Sequence, residues 1–202
     1  MITKIVVFED EKGVFTNVYR INDNGIAEEI LSNILTIVGR SVILPFGEQK
    51  REGDGFTPQG EYKITYTFGY GEPFNGDEII KGIPYLKVND KNEYVWVDDE
   101  NSKKYNTLQR YTERNDWDSA EDLFHELYEY TAVIDYNKEC IAGNGSAIFI
   151  HKAREGNTPT AGCVAWQRDD LLNIFRVLTK NTSICIFGKD RYAEAKVYMS
   201  EL

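Results

Sequence analysis

The sequence has few of the side chains that most often build metal and nucleophilic sites. Its 202 residues include 2 His, 3 Cys and 2 Met. With no C-x-x-C pair and no H-E-x-x-H motif, the chain lacks the ligand spacings of common zinc sites. Three cysteines are too few for a disulfide scaffold, and an odd number leaves one thiol free unless it pairs with another chain. We therefore expect no metal and no cofactor.

Long apolar runs and basic clusters are also missing. A membrane-spanning helix needs about 20 apolar residues, and a secretory leader needs roughly 7 to 15 after a basic start. The start, MITKIVVFEDEKGVF, has only a short apolar run followed by acids. The net charge is −10, with no cluster of Lys and Arg dense enough to follow a phosphate backbone. The sequence thus predicts no signal peptide, no membrane span and no nucleic-acid partner; the oligomeric state stays open.

What the sequence does contain is the composition of an ordinary globular domain. Hydrophobic residues make up 42% of the chain, with charged residues interspersed, which argues against disorder. A chain of this length buries about two-thirds of its unfolded surface as one domain. We predict a single domain over residues 1–202, with an N-terminal hairpin over residues 1–22 as part of it.

Short apolar and aromatic runs cut by Gly and Pro predict strands along most of the chain. The hairpin is expected where TKIVVFED and GVFTNVYRI flank the turn-like EDEKG. Further strands, with the turns between them, are predicted in SVILPFG, KREGDGFTPQGEYKITYTFGYG, PYLKV, EYVWVDD, TAVIDYN, GSAIFIHK and TSICIFG. GSAIFIHK is almost wholly apolar, which favours a buried strand.

Three segments have the apolar spacing of helices. The first, IAEEILSNILTIVGR, is also rich in β-branched residues, which weakens the helical interpretation. The second, SAEDLFHELYEY, opens with Ser119 and Asp122 in a capping-box-like arrangement. The third, QRDDLLNIFRVLTK, has acids at its start and a basic end, which suits the helix dipole. The expected fold class is therefore α+β, mainly β with a few helices.

One segment, GSAIFIHKAREGNTPTAGCVAW, brings a histidine and a cysteine close together in sequence. His151 ends a predicted buried strand, and Cys163 follows 163 − 151 = 12 positions later, just before a predicted helix. A nearby imidazole and a helix N-terminus are the two common causes of a reactive thiolate. Gly162 leaves room for a substrate carbonyl, and adjacent backbone N–H groups are candidates for an oxyanion hole.

A structural interpretation competes with the catalytic one. A His and a Cys at this spacing occur together by chance in many chains, and a buried free cysteine usually behaves as a small hydrophobe. That interpretation suits Cys185, which lies in an apolar strand segment. Cys140 is expected to be an incidental thiol near a loop. His125, within a predicted helix, is expected at the surface or in packing.

Several motifs resemble a known family. SAIFIHKAREGNTPTAGCVAW resembles the active-site signature of the L,D-transpeptidase family, the YkuD-type catalytic domain, in which a histidine follows an apolar strand and a Ser/Thr-x-Gly-Cys element supplies the nucleophile. KREGDGFTPQGEYKI, with Asp54, Thr57, Pro58 and Gly60, resembles the family's TP-x-G turn into a strand. VWVDDENSKKYN and YTAVIDYN resemble further stretches. These motifs cover residues 35–188 in the family's order and imply its β-sandwich-like catalytic fold.

The resemblance implies roles for single residues. Cys163 matches the nucleophile, and His151 matches the imidazole that takes the thiol proton and returns one to the leaving amine. Thr160 matches the Ser/Thr that helps to hold this histidine. Gly162 and Cys163 match the backbone donors to the oxyanion.

Two positions depart from the family pattern. Many members have a histidine before the Gly and an arginine two residues after the Cys, where this chain has Ala161 and Ala165. A branch of the family is similar in having Ala there, so catalysis need not be lost. Arg154 and Arg168 are candidates for holding the substrate carboxylate instead. The aromatic candidates for the cleft wall, which also suit a core, are Phe56, Tyr105 and Tyr136.

The resemblance implies a reaction on the stem peptides of bacterial peptidoglycan, in the cell envelope. An acyl-enzyme forms at an L,D bond, with release of a terminal D-amino acid. An amine acceptor then gives a cross-link, whereas water gives an L,D-carboxypeptidase or endopeptidase. Two alternatives stay open. One is the same chemistry in a secreted wall-degrading toxin or a cytosolic hydrolase of wall peptides; the other is a non-catalytic module that binds stem peptides.

Overall fold

Two β-sheets and two longer helices make up the computed structural model, which describes residues 1–72, 79–80, 82–111 and 116–202. The strands are β1 (Ile2–Glu9), β2 (Val14–Ile21), β3 (Ala27–Leu35), β4 (Gly60–Gly69), β5 (Ile79–Ile80), β6 (Ile83–Lys87), β7 (Tyr94–Val97), β8 (Leu108–Arg110), β9 (Ala120–Asp122), β10 (Thr131–Ile134), β11 (Phe149–Lys152), β12 (Val164–Trp166) and β13 (Thr182–Phe187). The helices are α1 (Arg168–Val177), α2 (Tyr192–Glu201) and the short 3-10 helices Glu155–Asn157 and Lys189–Arg191.

The larger sheet has the order β12-β11-β10-β4-β13-β1-β2-β3, with β6 beside β4 and β5 beside β6; the smaller sheet has the order β8-β7-β9. β1 and β2 pair antiparallel, which confirms the predicted hairpin, and β1 joins the sheet by pairing parallel with β13. The expectation of a mainly β fold with a few helices is confirmed.

The predicted helix in residues 26–40 is wrong, because this segment forms β3 on the free edge of the hairpin. It pairs antiparallel with β2, and Asn33 has a positive φ of +54°, which no helix interior accepts. The backbone N–H of Asn33 donates to the side chain of Asn17 at 2.9 Å, where the β2–β3 register shifts. Pairing along a whole strand therefore outweighs the helical spacing of a β-branched segment.

The predicted helix of residues 119–130 is also wrong. Its first residues form β9, which pairs with β7 in the smaller sheet. Asp122 does not cap a helix; its Oδ1 accepts from the N–H of Phe124 at 2.9 Å, two residues on, in an Asx turn. A further turn follows, with Tyr128 N donating to His125 O at 2.9 Å. The apolar residues of the segment pack into the core between the two sheets. Their helix-like spacing therefore comes from a strand and two turns that face this core, and not from a helix.

The predicted helix before residue 180 is confirmed as α1. The strand predicted in GSAIFIHK is shorter than expected, because Gly145 and Ala147 have positive φ values of +94° and +52° and so leave extended geometry. β11 begins at Phe149 and ends at Lys152, so His151 lies one residue before the end of the strand. The sequence does not indicate α2, whose single buried residue, Ala195, gives no apolar stripe.

Two apolar clusters lie on opposite faces of β11. Ile150 belongs to the cluster that contains the buried residues of α1, whereas Phe149 belongs to the cluster that contains Trp96 and Tyr128 of the smaller sheet and its turn. Because side chains alternate along a strand, His151 shares the face of Phe149. His151 therefore faces the smaller sheet. In the described part of the chain, no helix is long and apolar enough to cross a membrane.

Candidate active site

A cleft between the two sheets holds both residues that the sequence analysis places at the centre of the chemistry. Its volume is about 430 Å³, and its walls include Cys163, His151, Thr160 and Gly162. β11 and β12 pair side by side, with Ile150 opposite Val164, so Cys163 lies one strand away from His151. The three residues of β12 and Gln167 separate Cys163 from α1. The expectation that a helix N-terminus activates the thiol is therefore wrong.

The thiol of Cys163 is buried, with 7% of the residue exposed. Its Sγ accepts from the N–H of Phe149 at 3.3 Å and donates to the carbonyl of Ala147 at 3.2 Å. Burial raises the pKa of this thiol from 9.0 to about 12, and the charge of Glu121 acts in the same direction. At rest the group is therefore a thiol, and any attack by its sulfur on a substrate would require removal of the hydrogen.

The imidazole of His151 is buried and neutral at rest. Its Nδ1 lies 2.8 Å from the carbonyl oxygen of Lys152. Because a carbonyl can only accept, Nδ1 carries the hydrogen and Nε2 keeps a free lone pair. Burial lowers the pKa of His151 from 6.5 to about 4, against the opposing effect of the Lys152 carbonyl. The ring of Tyr128 meets that of His151 edge-on at 5.5 Å. This arrangement presents a neutral base in a fixed orientation.

The hydroxyl of Thr160 holds the turn that carries the thiol. Its Oγ1 donates to the carbonyl of Cys163 at 2.7 Å and accepts from the N–H of Gly162 at 3.1 Å. Because its hydrogen is donated to the carbonyl of Cys163, this hydroxyl does not donate to His151. Thr160 therefore stabilises the turn and does not orient the imidazole. Thr57, from the TP-x-G motif, adds a second support by donating to Gly162 O at 2.8 Å.

The geometry of this turn determines which backbone N–H groups are free to donate a hydrogen bond to an oxyanion. The N–H of Gly162 is taken by Thr160, whereas the N–H of Cys163 has no hydrogen-bond partner within the described residues. Gly162 has a φ of +153°, and a Cβ there would lie 3.0 Å from the carbonyl of Phe56 and 3.1 Å from Ile148 Cδ1. Only glycine fits the position comfortably. Of the two donors expected from the sequence, Cys163 N–H is the one left free.

The four residues that the sequence suggests for substrate binding lie in different surroundings. Arg154 lines the cleft and forms no ion pair or hydrogen bond through its side chain among the described residues. Arg168 lies outside the cleft lining, where Glu129 binds its guanidinium at 2.7 and 2.5 Å. Tyr105 is buried and donates to Glu52, and Tyr136 donates to Asn144 O at 2.6 Å. Arg168, Tyr105 and Tyr136 are thus not among the residues that line the cleft, and Phe56 borders the site through its backbone.

His125 and Lys50 also line the cleft, although nothing in the sequence assigns them to the site. His125 accepts from Leu127 N–H through Nδ1 at 3.2 Å, and its ring lies 5.3 Å from that of Tyr128. Tyr128 in turn donates to Glu121, whose pKa burial raises. No local signal identifies His125. In the described residues no three His, Cys, Asp or Glu side chains are grouped to hold a metal ion.

The lowered pKa of His151 makes the stability of the fold depend on pH. Below pH 6.5 the unfolded chain gains a proton at this histidine, while the folded chain gains one only near pH 4. Stability is therefore lost as the pH falls from 6.5 to about 4, by about 3 kcal/mol in all. We expect urea unfolding at pH 7 and pH 4.5 to show this loss in wild type and a smaller one in His151→Asn. Equal losses in both proteins would contradict the assignment.

A buried thiol and a neutral imidazole lie in one cleft of a mainly β scaffold, and these are the two groups that cysteine–histidine sites use. The family model described as the L,D-transpeptidase catalytic domain matches residues 4–186. The chain belongs to this family.

Two L,D-transpeptidases are among the solved structures that match the chain, both at 13% identity. The protein from Stackebrandtia nassauensis has a TM-score of 0.40, with 95% of this chain and 58% of that chain covered. L,D-transpeptidase 1 of Mycobacterium tuberculosis has a TM-score of 0.39, with 92% of this chain and 62% of that chain covered. The chain thus spans less than two-thirds of either protein. No curated protein matches the chain.

Proposed function

We propose that the protein is a cysteine acyltransferase or peptidase that cleaves an L,D bond in the stem peptides of bacterial peptidoglycan, in the cell envelope. The observation that carries the proposal is the meeting of Cys163 and His151 in one cleft, in a chain of the L,D-transpeptidase catalytic-domain family. The pairing of β11 with β12 supports it, because two neighbouring strands fix both backbones.

The proposed reaction has two steps and needs no external oxidant or reductant. In the first, Sγ of Cys163 attacks the peptide carbonyl while its hydrogen passes to Nε2 of His151. The C–N bond then breaks, and His151 returns the proton to the leaving amine of the D-amino acid. In the second step an amine or water attacks the thioester and restores the thiol. Because both groups are neutral at rest, proton transfer has to accompany the attack on the carbonyl.

Arg154 is the proposed anchor for the carboxylate of the substrate. It lies in the loop after β11, on the wall of the cleft, with its guanidinium unpaired among the described residues. A charge-assisted hydrogen bond is worth about 1.5 to 3 kcal/mol. We expect Arg154→Ala to raise KM for a tetrapeptide muropeptide by about tenfold or more, with a smaller effect on kcat.

The matched control is Arg168→Ala, which removes a guanidinium that Glu129 already neutralises outside the cleft. We expect its kinetic constants to stay close to those of wild type. Equal effects of the two substitutions on KM would show that Arg154 has no special part in binding.

A non-catalytic module that binds stem peptides is the second candidate. The buried, hydrogen-bonded thiol of Cys163 favours it, because burial raises its pKa and so opposes thiolate formation. The two candidates differ in their products and not in their affinity for the peptide.

The experiment that tests the proposal is incubation of the protein with disaccharide tetrapeptides, followed by mass spectrometry. Loss of a D-alanine mass identifies an L,D-carboxypeptidase, and a linked dimer identifies a transpeptidase. Unchanged muropeptides, together with measurable binding by calorimetry, would overturn the enzymatic proposal in favour of the binding module.

A further inference from the structure

We propose that Lys50 is a further residue of the site, whose buried ammonium stabilises the negative charge that forms beside Cys163 during acyl transfer. This inference deepens the proposed function and rests on it for its catalytic meaning. The electrostatic part, a positive charge that acts on the sulfur, can be tested without any substrate.

Lys50 is an unusual lysine, because only 3% of it is exposed although it lines the cleft. Its Nζ donates to Oδ1 of Asp54 at 2.6 Å and to the carbonyl of Arg51 at 3.2 Å. Asp54 itself accepts from the N–H groups of Arg51 and Phe56. The loop therefore holds the ammonium in one place. An ammonium has three N–H groups, and these two bonds leave one of them without an acceptor among the described residues.

The stem of Lys50 passes directly beside the turn that carries the nucleophile. A Cβ on Gly162 would lie 3.8 Å from Lys50 Cε, and a Cβ on Gly145 would lie 2.9 Å from the same atom. Gly145 has a φ of +94°, so both backbone shape and the lysine require glycine there. Lys50 thus reaches the backbone of the residue immediately before Cys163.

Close to the sulfur, the free backbone donor that the described residues offer is the N–H of Cys163, and Arg154 is assigned to the substrate carboxylate. β12, and not a helix N-terminus, follows Cys163, and His151 is neutral at rest. The N–H of Gly162 is taken by Thr160. The charge of Glu121 raises the pKa of Cys163, whereas the charge of Lys50 lowers it. A fixed cation in the wall of the cleft stabilises both a thiolate and an oxyanion that form there.

A purely structural role is the competing interpretation, in which Lys50 only neutralises Asp54. The test therefore compares Asp54→Asn with the double variant Lys50→Met/Asp54→Asn. Asp54→Asn removes the counter-charge of Lys50 but keeps an amide oxygen that can accept from Nζ, whereas the double variant removes both buried charges; the two proteins differ only at the lysine. Unfolding curves of the two variants establish that the folds match.

The measurement is the alkylation rate of Cys163 between pH 7 and pH 10, followed by peptide mass spectrometry with iodoacetamide and, separately, iodoacetate. We expect the double variant to react about tenfold more slowly than Asp54→Asn with iodoacetamide. The loss is expected to be larger with the anionic iodoacetate, because a local positive charge attracts it. A steric change in the cleft would slow both reagents by the same factor.

Equal alkylation rates in the two variants, or equal losses with the two reagents, would overturn the proposal. The proposed function fails separately, if wild-type protein leaves muropeptides unchanged. If muropeptides stay unchanged but the two variants still differ in alkylation rate, Lys50 acts on the charge of Cys163 but has no part in catalysis.

Discussion

Cys163→Ala is expected to abolish conversion of a tetrapeptide muropeptide, with a fall in rate of about 10³-fold or more. The substitution removes the sulfur atom that forms the thioester in the proposed reaction. The intact protein should also lose the mass increase of an acyl-enzyme. We expect the fold to survive, because the change deletes one buried sulfur and two weak contacts, those with Phe149 N–H and the Ala147 carbonyl.

Cys185→Ala is the matched control for this substitution. Cys185 is also a buried free thiol, 2% exposed, but it lies in β13 and contacts the hydroxyl of Tyr198 at 3.1 Å. Its loss should lower stability slightly and leave turnover unchanged. Product formation by Cys163→Ala at the wild-type rate would remove Cys163 from the mechanism.

Local sequence patterns predict the parts of the fold that are decided locally. The β1–β2 hairpin has a short turn between two apolar strands, and α1 has its apolar stripe and charges in the order that a helix dipole favours. The segments of β3 and β9 have helix-like spacing too, but each pairs with an existing strand edge. A single-sequence pattern does not show such an edge, because the edge is built by residues elsewhere in the chain.

The same distinction separates the predicted and the unpredicted parts of the site. Cys163 and His151 lie 12 positions apart, and one motif covers both. Lys50 and His125 come from distant segments that reach the cleft only after the two sheets have formed. The surroundings of the thiol also cannot be predicted from the sequence. The start of α1 lies only a few residues after Cys163, but most of those residues form the extended strand β12, so the thiol is not at the helix N-terminus. Burial, and not sequence distance, decides the protonation of both groups.

His151→Asn is expected to lower kcat/KM by about 10²- to 10⁴-fold, the usual contribution of a general base. The asparagine amide can keep a hydrogen bond to the carbonyl of Lys152, which the Nδ1–H of the histidine makes at 2.8 Å. It has no basic nitrogen to replace Nε2. The substitution thus removes the proton acceptor and keeps the polar contact of the buried position satisfied.

The pH profile distinguishes loss of a base from loss of packing. Because the pKa of His151 is lowered to about 4, wild-type kcat/KM should be nearly constant between pH 6 and 8, with the base already unprotonated. In His151→Asn, hydroxide is the remaining acceptor, so the residual rate should rise with pH across the same range. His125→Asn is the comparison, since its Nδ1 is held by Leu127 N–H and the residue lies outside β11; we expect a smaller loss and a flat profile. A rising profile in His125→Asn with a flat one in His151→Asn would exchange the roles of the two histidines.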